Sequence, residues 1–224
     1  MNTAPARLDI AIVSDVVCPW CFVGHGQLEQ ALAAWTAQHP GQPEPKLRWY
    51  PFQLNPEMPP QGMARSAYMA AKFGNADLDA IHQRLEAAAQ TAGVALQLGR
   101  ITQQPNTLKA HTLINLAADA GLQTAVAHAL FQAYFHDGRD LSDDGQLRAV
   151  AADAGLNEEI ITSALDDPGQ QARVAGLDAD LRQQGVSGVP LFVFTREGTD
   201  HQAVVSGAQG RDALLQAMAQ CMAT

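Results

Sequence analysis

Ile10-Ala11-Ile12-Val13, followed within a few residues by Cys18-Pro19-Trp20-Cys21, is the stretch on which the reading of this chain turns: an apolar run leads into two thiols and a helical pattern. Cysteines so spaced can close and open a disulfide. The apolar run predicts a strand, and the helix should begin at Pro19, whose missing N–H and fixed φ suit the first helical position. The first turn of a helix carries unpaired N–H groups and a partial positive charge, so it favours an anion. A cysteine at such a site in a Cys-X-X-Cys motif can have its pKa lowered from about 8.5 to between roughly 3.5 and 7.5. Cys18 is therefore the expected nucleophile, at the exposed mouth of the helix. Leu28, Leu32 and Trp35 share a helix face with Cys21, which makes Cys21 the shielded, resolving thiol.

The 224 residues suffice for one domain, or for a domain with a large insertion, and for a substantial core. Net charge is −9 and the Lys and Arg residues are scattered, so neither nucleic acid nor an anionic membrane is an expected partner. Alanine-rich stretches are broken every few residues by Asp, Gln, Glu or Arg, and none reads as a membrane span. Met1 to Asp9 is short and polar, without the apolar core of an export signal. The expectation is a soluble, cytoplasmic protein, where a close thiol pair is more often catalytic or metal-binding than a structural bridge. Cys221, in register with Leu214 and Met218, is expected as a small buried residue of the last helix.

Strands are predicted at 8–14, 47–52, 191–195 and 203–206, with a helix from Pro19 to about Gln38 between the first two. From Met63 to about Leu165 the pattern is helical. Leu78, Ile81, Leu85, Ala88 and Ala92 form one stripe between the caps Asn75 and Gly93; Ala110, Leu113, Ile114 and Ala117 form another ahead of Gly121. Leu147, Val150, Ala151 and Ala154 follow between Ser142 and Gly155. A helix from Pro168 to about Gly185 leads back to strands, and a last helix covers about 209–222. The outer segments, 1–62 and 166–224, would then share one sheet, with 63–165 inserted as a helical domain and a groove between the two parts.

The strand-to-helix Cys-Pro-X-Cys, Gly188-Val189-Pro190 ahead of the third strand and the helical block between them resemble the DsbA-type thioredoxin-fold oxidoreductases over nearly the whole chain. Asp15, Cys18 to Gly24, Pro51-Phe52-Gln53-Leu54, Asn106-Thr107, Ala110-His111, Ala133-Tyr134-Phe135 and Ser206 to Gln209 are similar more narrowly to the FrnE-like branch. That branch is grouped with 2-hydroxychromene-2-carboxylate isomerases and kappa-class glutathione transferases, whose active-site serine stands where this chain has Cys18. The resemblance implies an α/β protein: a thioredoxin fold with an inserted all-helical domain. It implies that Cys18 attacks a disulfide and Cys21 resolves the intermediate. It also implies a cis Val189–Pro190 bond, with the Val189 backbone facing the sulfurs to bind an extended substrate and to keep metal off the thiols, and Trp20 lining the groove. No dissociable cofactor and no metal are expected; glutathione is left as a co-substrate, beside protein or small-molecule thiols and disulfides. The groove leaves room for a homodimer.

His25, where relatives often carry Lys or Arg, is read as a polar residue on the helix rim or as positive charge beside the thiolate. Asn106 and His111 match family positions in the insertion and are read either as facing the groove or, in preference, as a helix N-cap and a satisfied core or rim histidine; Asp15 is read as a strand-end polar residue or a proton acceptor for Cys21. Three other functions compete with the redox reading. A glutathione-dependent isomerase or transferase acting on an aromatic small molecule lacks its serine here. A metal module of Cys18, Cys21 and His25 lacks a second ligand pair. A binding-only accessory would not need an intact dithiol.

Overall fold

A computed structural model gives the fold and describes residues 6–74 and 78–223. Leu8, Ile10 and Ile12, each at most 2% exposed, carry β1 (Leu8–Ser14) through the interior of a four-stranded sheet. On one side β2 (Lys46–Pro51) runs parallel to β1, with Ile12 opposite Trp49; on the other, β5 (Leu191–Arg196) runs antiparallel, with Ile10 opposite Phe194. The antiparallel β6 (Gln202–Ser206) closes the edge. The parallel step from β1 to β2 needs a crossover, which α1 (Pro19–Gln38) supplies, so the dithiol lies where β1 hands over to α1.

Two glycines let α1 lie close to its neighbours. A Cβ on Gly24 would stand 3.1 Å from the Pro190 ring and 3.1 Å from the Phe192 ring. One on Gly26 would stand 2.6 Å from the Ala92 carbonyl oxygen, at the end of α3 (Leu78–Ala92). One turn earlier on the same helix, Phe22 stacks on Phe131 and Phe135, with ring centroids 5.2 and 5.7 Å away. Those two rings belong to α5 (Gln123–Phe131) and the wider π-type turn 132–136 that continues it. The helical block also contains α2 (Arg65–Phe73), α4 (Leu108–Leu116), α6 (Asp144–Asp153) and α7 (Glu158–Asp166). After it come α8 (Pro168–Gln183) and, at the end of the chain, α9 (Arg211–Met222).

The block is not wholly helical. Met63–Ala64 (β3) and Gln103–Gln104 (β4) form a short antiparallel pair, continued by an Arg65 N–H to Thr102 oxygen bond of 2.8 Å. Gly62, at φ +70°, turns the chain into it, and a Cβ there would lie 2.6 Å from the Gln104 carbonyl oxygen. Strands of two residues have no periodicity to read in a sequence. Several caps also differ from expectation. Asp143, not Ser142, caps α6 by accepting from Gln146 N–H at 2.8 Å, while the Ser142 hydroxyl turns back to Asp140. Thr107 occupies the N-cap position of α4; Asn106, one residue earlier, accepts from Leu108 N–H at 2.9 Å and donates to the Met58 carbonyl at 2.6 Å. The expected cap Asn75 falls outside the described residues. Ile81 is 37% exposed and leaves the buried stripe that Leu85, Ala89 and Ala92 form.

Because the added methyl would meet backbone at Gly26 but only side chains at Gly24, the two positions should respond differently. Gly26→Ala is expected to lower the free energy of unfolding in urea by about 1–3 kcal/mol, the usual effect of overpacking. At Gly24→Ala the gain in helix propensity, about 1 kcal/mol, should offset the crowding.

Candidate active site

Cys18 is the N-cap residue of α1, with an extended backbone (φ −90°, ψ 111°), and Pro19 opens the helix after it. Its N–H donates to the Asp15 carbonyl at 3.0 Å, and its own carbonyl accepts from Cys21 N–H at 3.0 Å and Phe22 N–H at 3.2 Å. No acidic side chain occupies the first turn. All three cysteines are free thiols. Cys18 is not at an exposed mouth, as the sequence suggested, but only 6% exposed. It lies on the floor of a groove of about 290 Å³, because α2 and α3 supply a wall opposite the start of α1. Trp20 and Leu54 flank the thiol there, facing Tyr68, Met69, Phe73 and Ile81.

The Cys18 thiol points at the Val189 carbonyl oxygen, 3.9 Å away. The Val189–Pro190 peptide bond is cis, and Gly207 N–H donates to the Pro190 carbonyl at 2.8 Å, which ties this loop to the end of β6. Cys21, 2% exposed, lies behind Cys18. Burial raises its thiol pKa well above the ordinary value, and the neighbouring Cys18 thiol adds to the rise. The nearby Ser14 hydroxyl, buried without a hydrogen-bond partner, and the Asp15 backbone act in the opposite direction. Cys21 is thus a protonated, shielded thiol.

The fully buried Asp15 uses both carboxylate oxygens to position its surroundings: one accepts from Leu54 N–H at 2.7 Å, the other lies 3.2 Å from His111 Nε2. His111 is thereby a buried, satisfied histidine. Asp178 of α8 makes a similar anchor one residue earlier, accepting from Gln53 N–H at 3.2 Å and pairing with Arg182, also at 3.2 Å. Arg182 bonds the Gln53 carbonyl and lies over the Phe52 ring, 4.0 Å from its centroid. Segment 52–54 is therefore clamped from both sides, and Leu54 is presented to the groove. Asp178 and Arg182 were missed in the sequence, where an acid four residues before a base looks like any exposed helical pair.

Neither reading of His25 holds. The residue is 2% exposed, packed edge-on against Trp49 (centroids 5.5 Å apart) and over Phe131 (6.0 Å), with Nε2 3.0 Å from His128 Nδ1. Burial, with His128 beside it, lowers its pKa to about 3, so it brings no positive charge to the dithiol. Its spacing of four from Cys21 and three from Leu28 puts it on the buried stripe itself. Cys221 is buried, as its spacing suggested; its thiol donates to the His201 carbonyl at 3.4 Å, and burial raises its pKa. Around the groove, Arg65 and Lys72 sit over Tyr68, 5.6 and 5.2 Å from its ring, and no carboxylate lines the described wall. No helix among the described residues is long and apolar enough to cross a membrane.

Comparison with known proteins places this geometry. Residues 9–219 match the family model of the DSBA-like thioredoxin domain. A probable DsbA oxidoreductase from Streptomyces coelicolor superposes with a TM-score of 0.82 at 31% identity, over 96% of this chain and 90% of its own. The cytosolic disulfide reductase DsbM from Pseudomonas aeruginosa, also solved with glutathione, shares the fold at a TM-score of 0.61 and 18% identity, over 96% and 95% of the two chains. A 2-hydroxychromene-2-carboxylate isomerase does so at 0.67 and 16%, over 95% of each.

The buried His25 gives a pH test of the packing behind the dithiol. Its folded pKa of about 3 lies below the unfolded value of 6.5, so the unfolded chain binds the extra proton first as pH falls. Stability from this group is complete above pH 6.5 and is lost on the way down to about 3, by at most about 1.4 kcal/mol per pH unit. His25→Phe should therefore lose less stability than the unsubstituted chain between neutrality and about pH 5, measured by urea unfolding at each pH.

Proposed function

The chain belongs to the DSBA-like thioredoxin family, and from that premise we propose that it is an enzyme, a thiol–disulfide oxidoreductase in which Cys18 attacks and Cys21 resolves. The observation that carries this reading is the unequal placement of the two thiols. Cys18 caps the helix on the groove floor, whereas Cys21 is one turn behind it with its proton held by burial.

In the reducing direction the Cys18 thiolate attacks one sulfur of a substrate disulfide. The substrate S–S bond breaks, a Cys18–substrate disulfide forms, and the departing substrate sulfur takes up a proton. Cys21 then loses its proton and attacks Cys18 Sγ. The second substrate sulfur leaves as a thiol, and a Cys18–Cys21 disulfide remains, two electrons having passed to the substrate. Two thiols of an external reductant such as glutathione restore the dithiol and leave as their own disulfide. Run backwards, the same steps oxidise a substrate dithiol, and the reduction potential sets the direction: 30 mV corresponds to about 1.4 kcal/mol for this two-electron couple.

Substrate is a protein or small-molecule thiol or disulfide. It would lie along the groove with its backbone or amide groups against Val189, next to Pro190, and its apolar part against Trp20. The Arg65 and Lys72 side chains at the opposite wall favour a substrate that also carries a carboxylate. Glutathione-dependent isomerisation of an aromatic molecule is the competing activity on this fold, and Cys18 in place of serine stands against it.

Reduction of insulin with glutathione as electron donor tests the proposal. Cys18→Ser should abolish turnover, and Cys21→Ser should accumulate a mixed disulfide between Cys18 and the substrate, visible on a non-reducing gel. Full turnover by Cys18→Ser would overturn the proposal, and tight glutathione binding by a redox-inert pair would favour the isomerase.

A further inference from the structure

On the far side of Cys21 from the groove, α1 and α5 bring together three donor atoms that disulfide exchange does not use. His25 Nε2 lies 3.0 Å from His128 Nδ1 and 3.4 Å from a Glu29 carboxylate oxygen, and ligating atoms of all three residues fall within 4.8 Å of one another. We infer that His25, Glu29 and His128 form a binding site for a divalent transition-metal ion, with zinc the best-fitting class, that fastens the dithiol-bearing helix to the helical block.

If His128 Nδ1–H donates to His25 Nε2, that nitrogen's lone pair also faces the Glu29 carboxylate, another acceptor. If His25 Nε2 carries the proton, one hydrogen is shared between the His128 lone pair and the carboxylate. One cation among the three satisfies all of them together. The spacing agrees with this. Zinc bonds of about 2.0–2.2 Å to nitrogen and oxygen in a tetrahedron put neighbouring donors about 3.3–3.6 Å apart; His25 Nε2 lies 3.4 Å from Glu29 and, slightly closer, 3.0 Å from His128, with the third pair within 4.8 Å. Two imidazoles, one carboxylate and a solvent-filled fourth position make a ligand set that zinc accepts. Copper, nickel and cobalt would also bind imidazole, in the usual order of affinities. His25 is buried and held by Trp49 and Phe131, so one ligand is fixed. The Glu29 side chain is 53% exposed, so the ion can enter from solvent, and among the described residues Glu29 has no Lys or Arg partner to be displaced.

The inference does not depend on the redox reading, and its test keeps the two apart by removing the dithiol. The full chain carrying Cys18→Ala and Cys21→Ala is titrated with Zn²⁺ by calorimetry, and with Co²⁺ by absorption spectroscopy. The expected result is one ion per chain, a melting temperature that rises with Zn²⁺ concentration, and visible cobalt d–d bands without thiolate charge-transfer absorption. In that background Glu29→Gln and His128→Gln should each weaken Zn²⁺ binding by at least about tenfold, as loss of a supporting partner alone typically does. Glu29 is at the surface, so its substitution keeps the fold. Absence of one-to-one binding, or an affinity unchanged in both variants, would overturn the inference.

Discussion

Everything at the site depends on how the first two turns of α1 are gripped. Phe22 is stacked on Phe131 and Phe135, Gly24 admits Pro190 and Phe192, Gly26 admits the end of α3, and His25 is packed against Trp49. These contacts come from the sheet and from the helical block alike. They leave α1 little freedom to rotate or slide, so the two sulfurs keep their unequal positions with respect to the groove. The proposed thiol–disulfide exchange needs sulfur to approach sulfur along a narrow path, and fixed geometry would supply part of that requirement before a substrate arrives.

The groove wall depends on a second set of restraints. Asp15 and Asp178 each accept a backbone N–H from the segment that follows β2, and Arg182 closes over Phe52. Buried carboxylates are stable only when such partners are present, so these bonds and the wall they hold are interdependent. Arg65 and Lys72 stand across the groove in a chain whose net charge is −9, and no carboxylate lines its described wall. The fold itself does not choose the chemistry, since the isomerase neighbour shares it at 16% identity. In the proposed oxidoreductase the side chain at the helix cap, Cys18, makes that choice.

Much of this was legible in the sequence because it is local. The alternation in β1, the proline at the first helical position and the thiol spacing each speak within a few residues. Misreadings arose where the deciding contact is distant or where polarity hid periodicity. His25 looked like a rim residue because it is polar, although its spacing from Cys21 and Leu28 put it on the buried face. Its partner His128 is 103 positions away, and no local pattern announces it. Cys18 was correctly placed at the helix cap but wrongly thought exposed, because the wall that covers it comes from α2 and α3. Ile81 has the period of a core residue, and its exposure at the groove is a property of how α3 packs.

The unequal reactivity of the two thiols is the claim on which the account stands, and competitive alkylation of the reduced chain measures it most directly. With limiting iodoacetamide at neutral pH and peptide-by-peptide mass spectrometry, Cys18 should be modified first while Cys21 and Cys221 stay protected. Modification of Cys21 at the same rate as Cys18, or ahead of it, would contradict the account.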